Sequence, residues 1–181
     1  MRIIAGTHKG RTLYGPKSHD IRPAIDKVKG AIFNILYDVS GKKVLDLFAG
    51  TGSVGLEALS RGAAHAVFVD YGAEALGLIR KNIELCKLES RSSIIKHKLP
   101  QGLGRILQRF APFDLIFVDP PYDQDLVNLT LEKIISSHLL APEGTILVEH
   151  SPREMIGEIA GLRLADQRKY GQTVISFLEL M

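Results

Sequence analysis

The sequence predicts an α/β protein: a mostly parallel sheet of seven strands, closed by an antiparallel C-terminal hairpin, with helices on both faces. Three observations predict it. From Val44 onward, short apolar runs alternate with amphipathic stretches, the rhythm of β-α-β units. A glycine-rich turn follows the first of these runs, and open parallel sheets bind ligands beyond the carboxyl ends of their strands. The last two apolar segments, 162–169 and 173–180, are joined by Tyr170-Gly171-Gln172 and read as a hairpin.

The elements follow in order. Residues 1–20 read as short strands punctuated by Gly6, Gly10 and Gly15-Pro16, a small hairpin-like arm. From Asp26 the pattern turns helical. Val28, Ile32, Ile35, Leu36 and Val39 share one helical face, and Gly41 is expected to end it. Gly30 inside that helix should cost about 1 kcal/mol against Ala. Val44–Phe48 is the first buried strand, with a helix after it to about Ser60. Ala66–Val69 is the second strand, ended by Asp70, and 73–87 is an amphipathic helix. Ser93–Lys96, Asp114–Val118 and Thr145–Glu149 are the next strands, the last preceded by a Pro142-Glu143-Gly144 turn. Leu103–Phe110 and Leu126–Ser137 are the helices between them. The whole chain, 1–181, reads as one domain, with 1–25 a basic hairpin-like appendage.

Composition narrows the function classes. Of 181 residues, 45% are apolar and 24% charged, which excludes disordered, collagen-like and disulfide-scaffold chains. The length favours one core and leaves no room for a separate substrate domain of ordinary size. Cys86, the single cysteine, falls in register with Leu76, Ile79 and Ile83 and reads as a core thiol in a reducing compartment. No apolar run approaches a membrane span, and MRIIAGTHKGR lacks the apolar core of a signal peptide, so a soluble cytoplasmic protein is expected. The six histidines have no i,i+4 pairing and no cysteine companions, so no metal site is expected.

The net charge of +3 is unevenly spread. Residues 1–43 carry nine Lys/Arg against three acids, while the remainder carries 14 against 17. A basic segment on a mildly acidic body suits a polyanion, although a solvated basic face has the same composition.

Three motifs gather at strand ends. Asp46-Leu47-Phe48-Ala49-Gly50-Thr51-Gly52-Ser53 follows the first strand. Gly50 and Gly52 permit a sharp turn and close approach of a ligand, and the following helix offers free N–H groups. Gly55 completes G-x-G-x-x-G, which keeps a dinucleotide-binding reading open. Asp70, 20 residues after Gly50, is placed to accept ribose hydroxyls, whichever cofactor carries the ribose. Asp119-Pro120-Pro121-Tyr122 is the most informative. Two prolines stiffen the backbone and remove two donors. The Asp119 carboxylate and the Pro120 carbonyl are then a rigid pair of acceptors beside an aromatic ring. A planar base with an exocyclic amine matches them: its N–H groups donate to the pair while its face stacks on Tyr122. Such hydrogen bonds localise the amine lone pair and stabilise the positive charge that builds as a methyl group is added.

D-L-F-A-G-T-G, Asp70 and D-P-P-Y resemble the motifs of class I S-adenosylmethionine-dependent methyltransferases that act on amines. The match widens with the opening M-R-I-I-A-G, Lys9-Gly10-Arg11, Arg22-Pro23, Asp26-Lys27-Val28, Phe33-Asn34, G-L-E-A-L-S-R-G-A at 55–63 and Lys169-Tyr170-Gly171. Over nearly its whole length the chain resembles the RsmD family, bacterial 16S ribosomal RNA guanine-N2 methyltransferases. The resemblance implies a Rossmann-like class I methyltransferase fold with S-adenosyl-L-methionine as cofactor. Asp46, Phe48, Ala49, Gly50, Thr51 and Gly52 would line its methionine end, Asp70 would hold the ribose, and Tyr71 would lie beside the adenine. Asp119, Pro120, Pro121 and Tyr122 would hold the target guanine. Arg2, Lys9, Arg11, Arg22 and Lys27 would contact phosphates of 16S rRNA, in the small subunit or an assembly intermediate, with the protein acting as a monomer.

The chain departs from the family at Ala24 (usually Thr), Gly30 (usually Glu), and Lys27 and Lys29 (often Arg). After the third strand the family usually has an Asp for the adenine amine. Here the run is Ile95-Lys96-His97-Lys98-Leu99, and lysine cannot accept a hydrogen bond. A backbone carbonyl in its place, or a weaker adenine contact, is implied. Other readings stay open: an NAD-dependent oxidoreductase, against which the acid at Asp46 and the chain's small size count; a non-catalytic RNA-binding module; and an amino-methyltransferase of another RNA or of DNA adenine N6.

Overall fold

The computed structural model describes residues 1–16, 22–122 and 124–181, with backbone alone for 22–25. Seven strands form a mixed sheet with helices around it. The chain divides into two compact units, Met1–His97 and Lys98–Met181.

The first unit contains α1 (Arg22–Leu36), β1 (Lys43–Leu47), α2 (Ser53–Ser60), β2 (His65–Asp70), α3 (Ala73–Cys86) and β3 (Ser92–Lys96). Its strands run parallel in the order β3-β2-β1. Val44–Leu47 and Ala66–Val69 are buried residue by residue. This is why they read as apolar runs, interrupted only by Asp46, rather than as alternation: a parallel strand is covered on both faces. On α3, Leu76, Ile79, Ile83 and Cys86 form the expected buried stripe, and burial pushes the Cys86 thiol above its usual range.

α1 starts four residues before the expected Asp26, with Pro23 in its first turn. A missing N–H leaves no bond unmade there, so the proline opens the helix rather than blocking it. The helix also ends earlier than expected. Tyr37 takes φ of 59° and breaks it, well short of Gly41. Val39 is buried as expected, but from a loop, while Ile35 is exposed.

Residues 17–21 of the arm lie outside the described residues; among those described, the arm is hairpin-shaped without forming the expected strands. Arg2 and Thr12 make an isolated antiparallel bridge, and Gly6–His8 is a single 3-10 turn. Ile3 N–H donates to Arg11 O, Gly10 N–H to Ile3 O and Leu13 N–H to Met1 O. Ile3 and Leu13 are buried and pin the arm.

The second unit contains α4 (Leu103–Leu107), β4 (Phe113–Val118), α5 (Leu126–Ser136), β5 (Leu140–His150), β6 (Leu162–Tyr170) and β7 (Thr173–Leu180). The strand order is β4-β5-β7-β6, with β4 and β5 parallel and β7 antiparallel to both of its neighbours. Gly171, at φ 62°, lets Tyr170 and Thr173 pair across a two-residue turn. The Pro142-Glu143-Gly144 segment is not a turn ahead of β5 but an irregularity within it. Phe113 pairs with Leu140 and Leu115 with Thr145, so β5 carries extra residues that bulge outward. A bulge is where a sheet tolerates proline. Buried His150 ties β5 to β7: its Nε2 lies 2.8 Å from Ser176 Oγ, which also accepts from Gln167 Nε2 on β6.

Candidate functional site

The glycine turn leaves β1 through Phe48, which holds φ of 59°, a conformation uncommon for a bulky residue. Gly50 and Gly52 follow at φ 56° and 74°. Ala49 N–H donates to Val69 O, and Gly52 N–H returns to Ala49 O, so the turn is closed on itself and tied to β2. Gly55 lets α2 approach the sheet: a Cβ there would lie 2.4 Å from Phe68 Cε1. That approach brings the Gly55 N–H within 3.0 Å of Asp46 Oδ2. Asp46 is buried on β1. Burial, reinforced by the nearby Asp70 charge and opposed by the Gly55 hydrogen bond, pushes its carboxyl up to about 7.

Asp70 closes β2 and braces the same turn. Its Oδ2 accepts from Gly50 N–H and its Oδ1 from Gly72 N–H, each at 2.9 Å. Each oxygen keeps acceptor capacity for a ribose hydroxyl. Tyr71 is exposed beside it, and Thr51 is half-buried. A Cβ on Gly50 would meet no atom closer than Phe48 O at 3.9 Å, so the space over the turn is open. These features fit a nucleoside cofactor with a charged amino-acid end.

The arm is held mainly through its backbone. Glu57, fully buried on α2, accepts from Ile4 N–H at 2.7 Å, Ala5 N–H at 3.0 Å and Arg61 Nε at 2.7 Å. Lys29 Nζ lies 3.6 Å from Glu57 and 3.9 Å from Asp26, and donates to Arg2 O at 2.8 Å. Burial pulls the Lys29 ammonium below the usual lysine range, against the opposing pull of Glu57 and Asp26. Ser60 Oγ donates to Ala5 O and accepts from His8 N–H. Buried Asn82 reaches the other end of the arm. Its Nδ2 donates to Tyr14 O and to Thr51 O, and its Oδ1 accepts from Tyr14 N–H.

With the backbone committed, the arm's basic side chains Arg2, Lys9 and Arg11 are exposed. Arg2, Lys9 and Lys27 line one cavity of about 760 Å³ together with Asp26. Arg11, exposed, instead donates from Nη1 to Leu85 O near the end of α3. Arg22 contributes a side chain outside the described residues.

In the second unit, Asp119-Pro120-Pro121-Tyr122 follows the end of β4. Asp119 and Pro121 are exposed and Pro120 is buried. Tyr122 is 40% exposed, so its ring reaches solvent. Its hydroxyl donates to Glu149 Oε1 at 3.3 Å and lies 3.1 Å from Thr173 Oγ1. Burial, with the charges of Glu149 and Asp119, pushes the phenol up to about 12. Burial also raises the Glu149 carboxyl.

Sequence reasoning missed Glu57, Lys29, Asn82, Glu149 and Thr173. Three of these carried a signal. Glu57 is the one acid inside apolar G-L-E-A-L, Asn82 interrupts the α3 stripe, and Glu149 ends an otherwise apolar T-I-L-V-E. Among the described residues, no group of three or more His, Cys, Asp or Glu is placed to hold a metal ion, and no helix is long and apolar enough to cross a membrane.

Comparison with known proteins identifies the chain's relatives. The chain is 34% identical over 150 residues to ribosomal RNA small subunit methyltransferase D of Escherichia coli strain K12, covering 82% of this chain and 74% of that one. The Haemophilus influenzae protein of the same name is 33% identical over 150 residues, covering 82% and 78%. The solved structure of the Escherichia coli protein yhhF superposes with a TM-score of 0.84 at 29% identity, covering 99% of this chain and 97% of that one. The family model described as Conserved hypothetical protein 95 matches residues 1–179, and the chain belongs to that family, the RsmD family of methyltransferases.

Proposed function

We propose that this protein transfers a methyl group from S-adenosylmethionine to the exocyclic N2 amine of a guanine in 16S ribosomal RNA, acting as a cytoplasmic monomer on the small subunit or an assembly intermediate. The observation that carries the reading is the Asp119-Pro120-Pro121-Tyr122 corner. An exposed carboxylate, a proline carbonyl on a buried ring and a solvent-reaching aromatic side chain stand together at the end of β4. The relatives named as small-subunit RNA methyltransferases supply the substrate class.

In this reading the bound cofactor supplies an electrophilic methyl group on a sulfonium centre and departs as the neutral thioether. The protein's part is orientation and electrostatics. The Gly50–Gly52 turn and Asp46 receive the amino-acid end, and Asp70 accepts from the ribose hydroxyls. Asp119 and the Pro120 carbonyl accept the two N–H groups of the guanine amine, and Tyr122 stacks on the base. The amine nitrogen forms the new N–C bond, its growing positive charge is stabilised by the two acceptors, and its proton leaves to Asp119 or water. Arg2, Lys9, Arg11, Arg22 and Lys27 contact phosphates, which position the substrate without reading its sequence.

The test is transfer of labelled methyl groups to small subunits from cells lacking the enzyme, followed by nucleoside analysis. N2-methylguanosine is the expected product, and N6-methyladenosine would reassign the target. Asp119→Ala should lower turnover by roughly 100- to 1000-fold while RNA affinity persists. Retained turnover in that variant would remove the corner from the mechanism.

A further inference from the structure

The hydroxyl of Tyr122 is seated on two strands that the base-binding motif does not include. Glu149 is the penultimate residue of β5 and pairs with Ile175 of β7. Thr173 opens β7 two residues earlier, so it lies on the same face as Ile175 and is a diagonal neighbour of Glu149 across the strand pair. Both side chains meet the same phenol oxygen, at 3.3 Å and 3.1 Å. At its other end the Tyr122 side chain is attached to a backbone stiffened by Pro120 and Pro121. The ring is therefore held at both ends while its body reaches solvent. The phenol stays protonated across the working pH range, because its pKa stands at about 12. Its single hydrogen goes to Glu149 Oε1, and the Thr173 hydroxyl is a second hydrogen-bond partner of the same phenol oxygen.

We propose that Glu149 and Thr173 are positioning residues for methyl transfer, fixing the plane of the Tyr122 ring and through it the plane of the target base. The inference rests on the reading above in which Tyr122 stacks on that base. A ring free to rotate about its two side-chain torsions would still attract a base but would present the amine at varying angles. Misplacement by about 1 Å can slow a reaction on the order of 100-fold.

The experiment measures single-turnover methylation of small subunits from cells lacking the enzyme, at saturating S-adenosylmethionine, for Y122F, Y122A, E149A, E149Q, T173V and the pair Y122F/E149A. Thermal unfolding checks each variant. Y122F and E149A should each lower the rate by roughly 10-fold or more with cofactor and RNA affinity unchanged. The pair should be no slower than Y122F alone, because Y122F already removes the bond that E149A breaks. E149Q, which keeps an acceptor oxygen, should recover rate relative to E149A. If E149A does not fold, the cycle of Y122F with T173V decides in the same way. Losses that multiply in the pair, or a slow Y122F beside a full-speed E149A, would overturn the inference alone. A full-speed Y122A would instead overturn the stacking reading on which it rests.

Discussion

The glycine turn of the first unit and the Asp-Pro-Pro-Tyr corner of the second are built on opposite principles. At the turn, both carboxylates are bound to the protein's own backbone: Asp46 to Gly55, Asp70 to Gly50 and Gly72. The turn is part of the fold's own hydrogen bonding. At the corner, the backbone is fixed by proline geometry and the ring by two side chains, with Asp119 exposed. The difference teaches where stability and rate should separate. Changes near the turn or its supporting helix should unsettle the protein itself, and changes at the corner should leave a folded, slow enzyme.

The contrast is broken most severely if Glu57→Ala leaves stability intact. That variant leaves the arm's Ile4 and Ala5 N–H groups without their acceptor and strips buried Lys29 of its nearer carboxylate, and should destabilise by about 3–5 kcal/mol in denaturant titration. Asp119→Ala is its counterpart at the corner. Turnover should fall by roughly 100- to 1000-fold, as when one preorganised hydrogen-bonding group is removed elsewhere, with the melting temperature almost unmoved. Gly55→Ala is a finer probe. Its Cβ would press on Phe68 and crowd the Asp46 carboxylate, so unfolding free energy should drop by about 1–3 kcal/mol and cofactor affinity should fall with it.

A last probe is pH dependence. The Asp46 carboxyl sits near 7 in the folded protein, against an ordinary value of 3.8. Between those values the folded state holds a proton that the unfolded state has lost. Asp46 therefore favours folding at low pH, and its contribution is lost as pH rises from about 4 to 7. Calorimetry should show the cofactor-free protein losing stability over that range relative to Asp46→Asn, which cannot titrate, with the two curves parallel above 7. A cationic cofactor end favours the ionised carboxyl. Cofactor affinity in the native protein should accordingly climb from pH 6 to 8 with proton release, and Asp46→Asn should flatten that climb.

Much of the fold was legible because its signals are local. Buried parallel strands such as Val44–Leu47 and Ala66–Val69 are apolar runs interrupted only by Asp46, and the hairpin turn at Gly171 is a feature of two residues. What misled was context. Pro23 marks a helix start rather than a barrier, Tyr37 ends α1 without a glycine, and Pro142-Glu143-Gly144 is absorbed by β5 as a bulge. At the site, the motifs named residues whose chemistry is visible in their own neighbourhood. Glu57, Asn82 and Glu149 escaped because their partners lie 27 to 68 residues away in the chain. Arg11 carried a charge signal like that of Lys9, yet its guanidinium reaches a helix carbonyl.

Thr51 Oγ1 donates to the Met1 sulfur at 3.2 Å, and the Thr51 carbonyl shares the Asn82 amide with Tyr14. Met1 is thereby wired into the glycine turn. A purification tag fused ahead of Met1 would tug on the loop it is meant to leave alone, and assays on such a fusion would understate nucleoside binding. Handles for labelling, immobilisation or fluorescence belong at the opposite end, where Met181 stands exposed beyond β7.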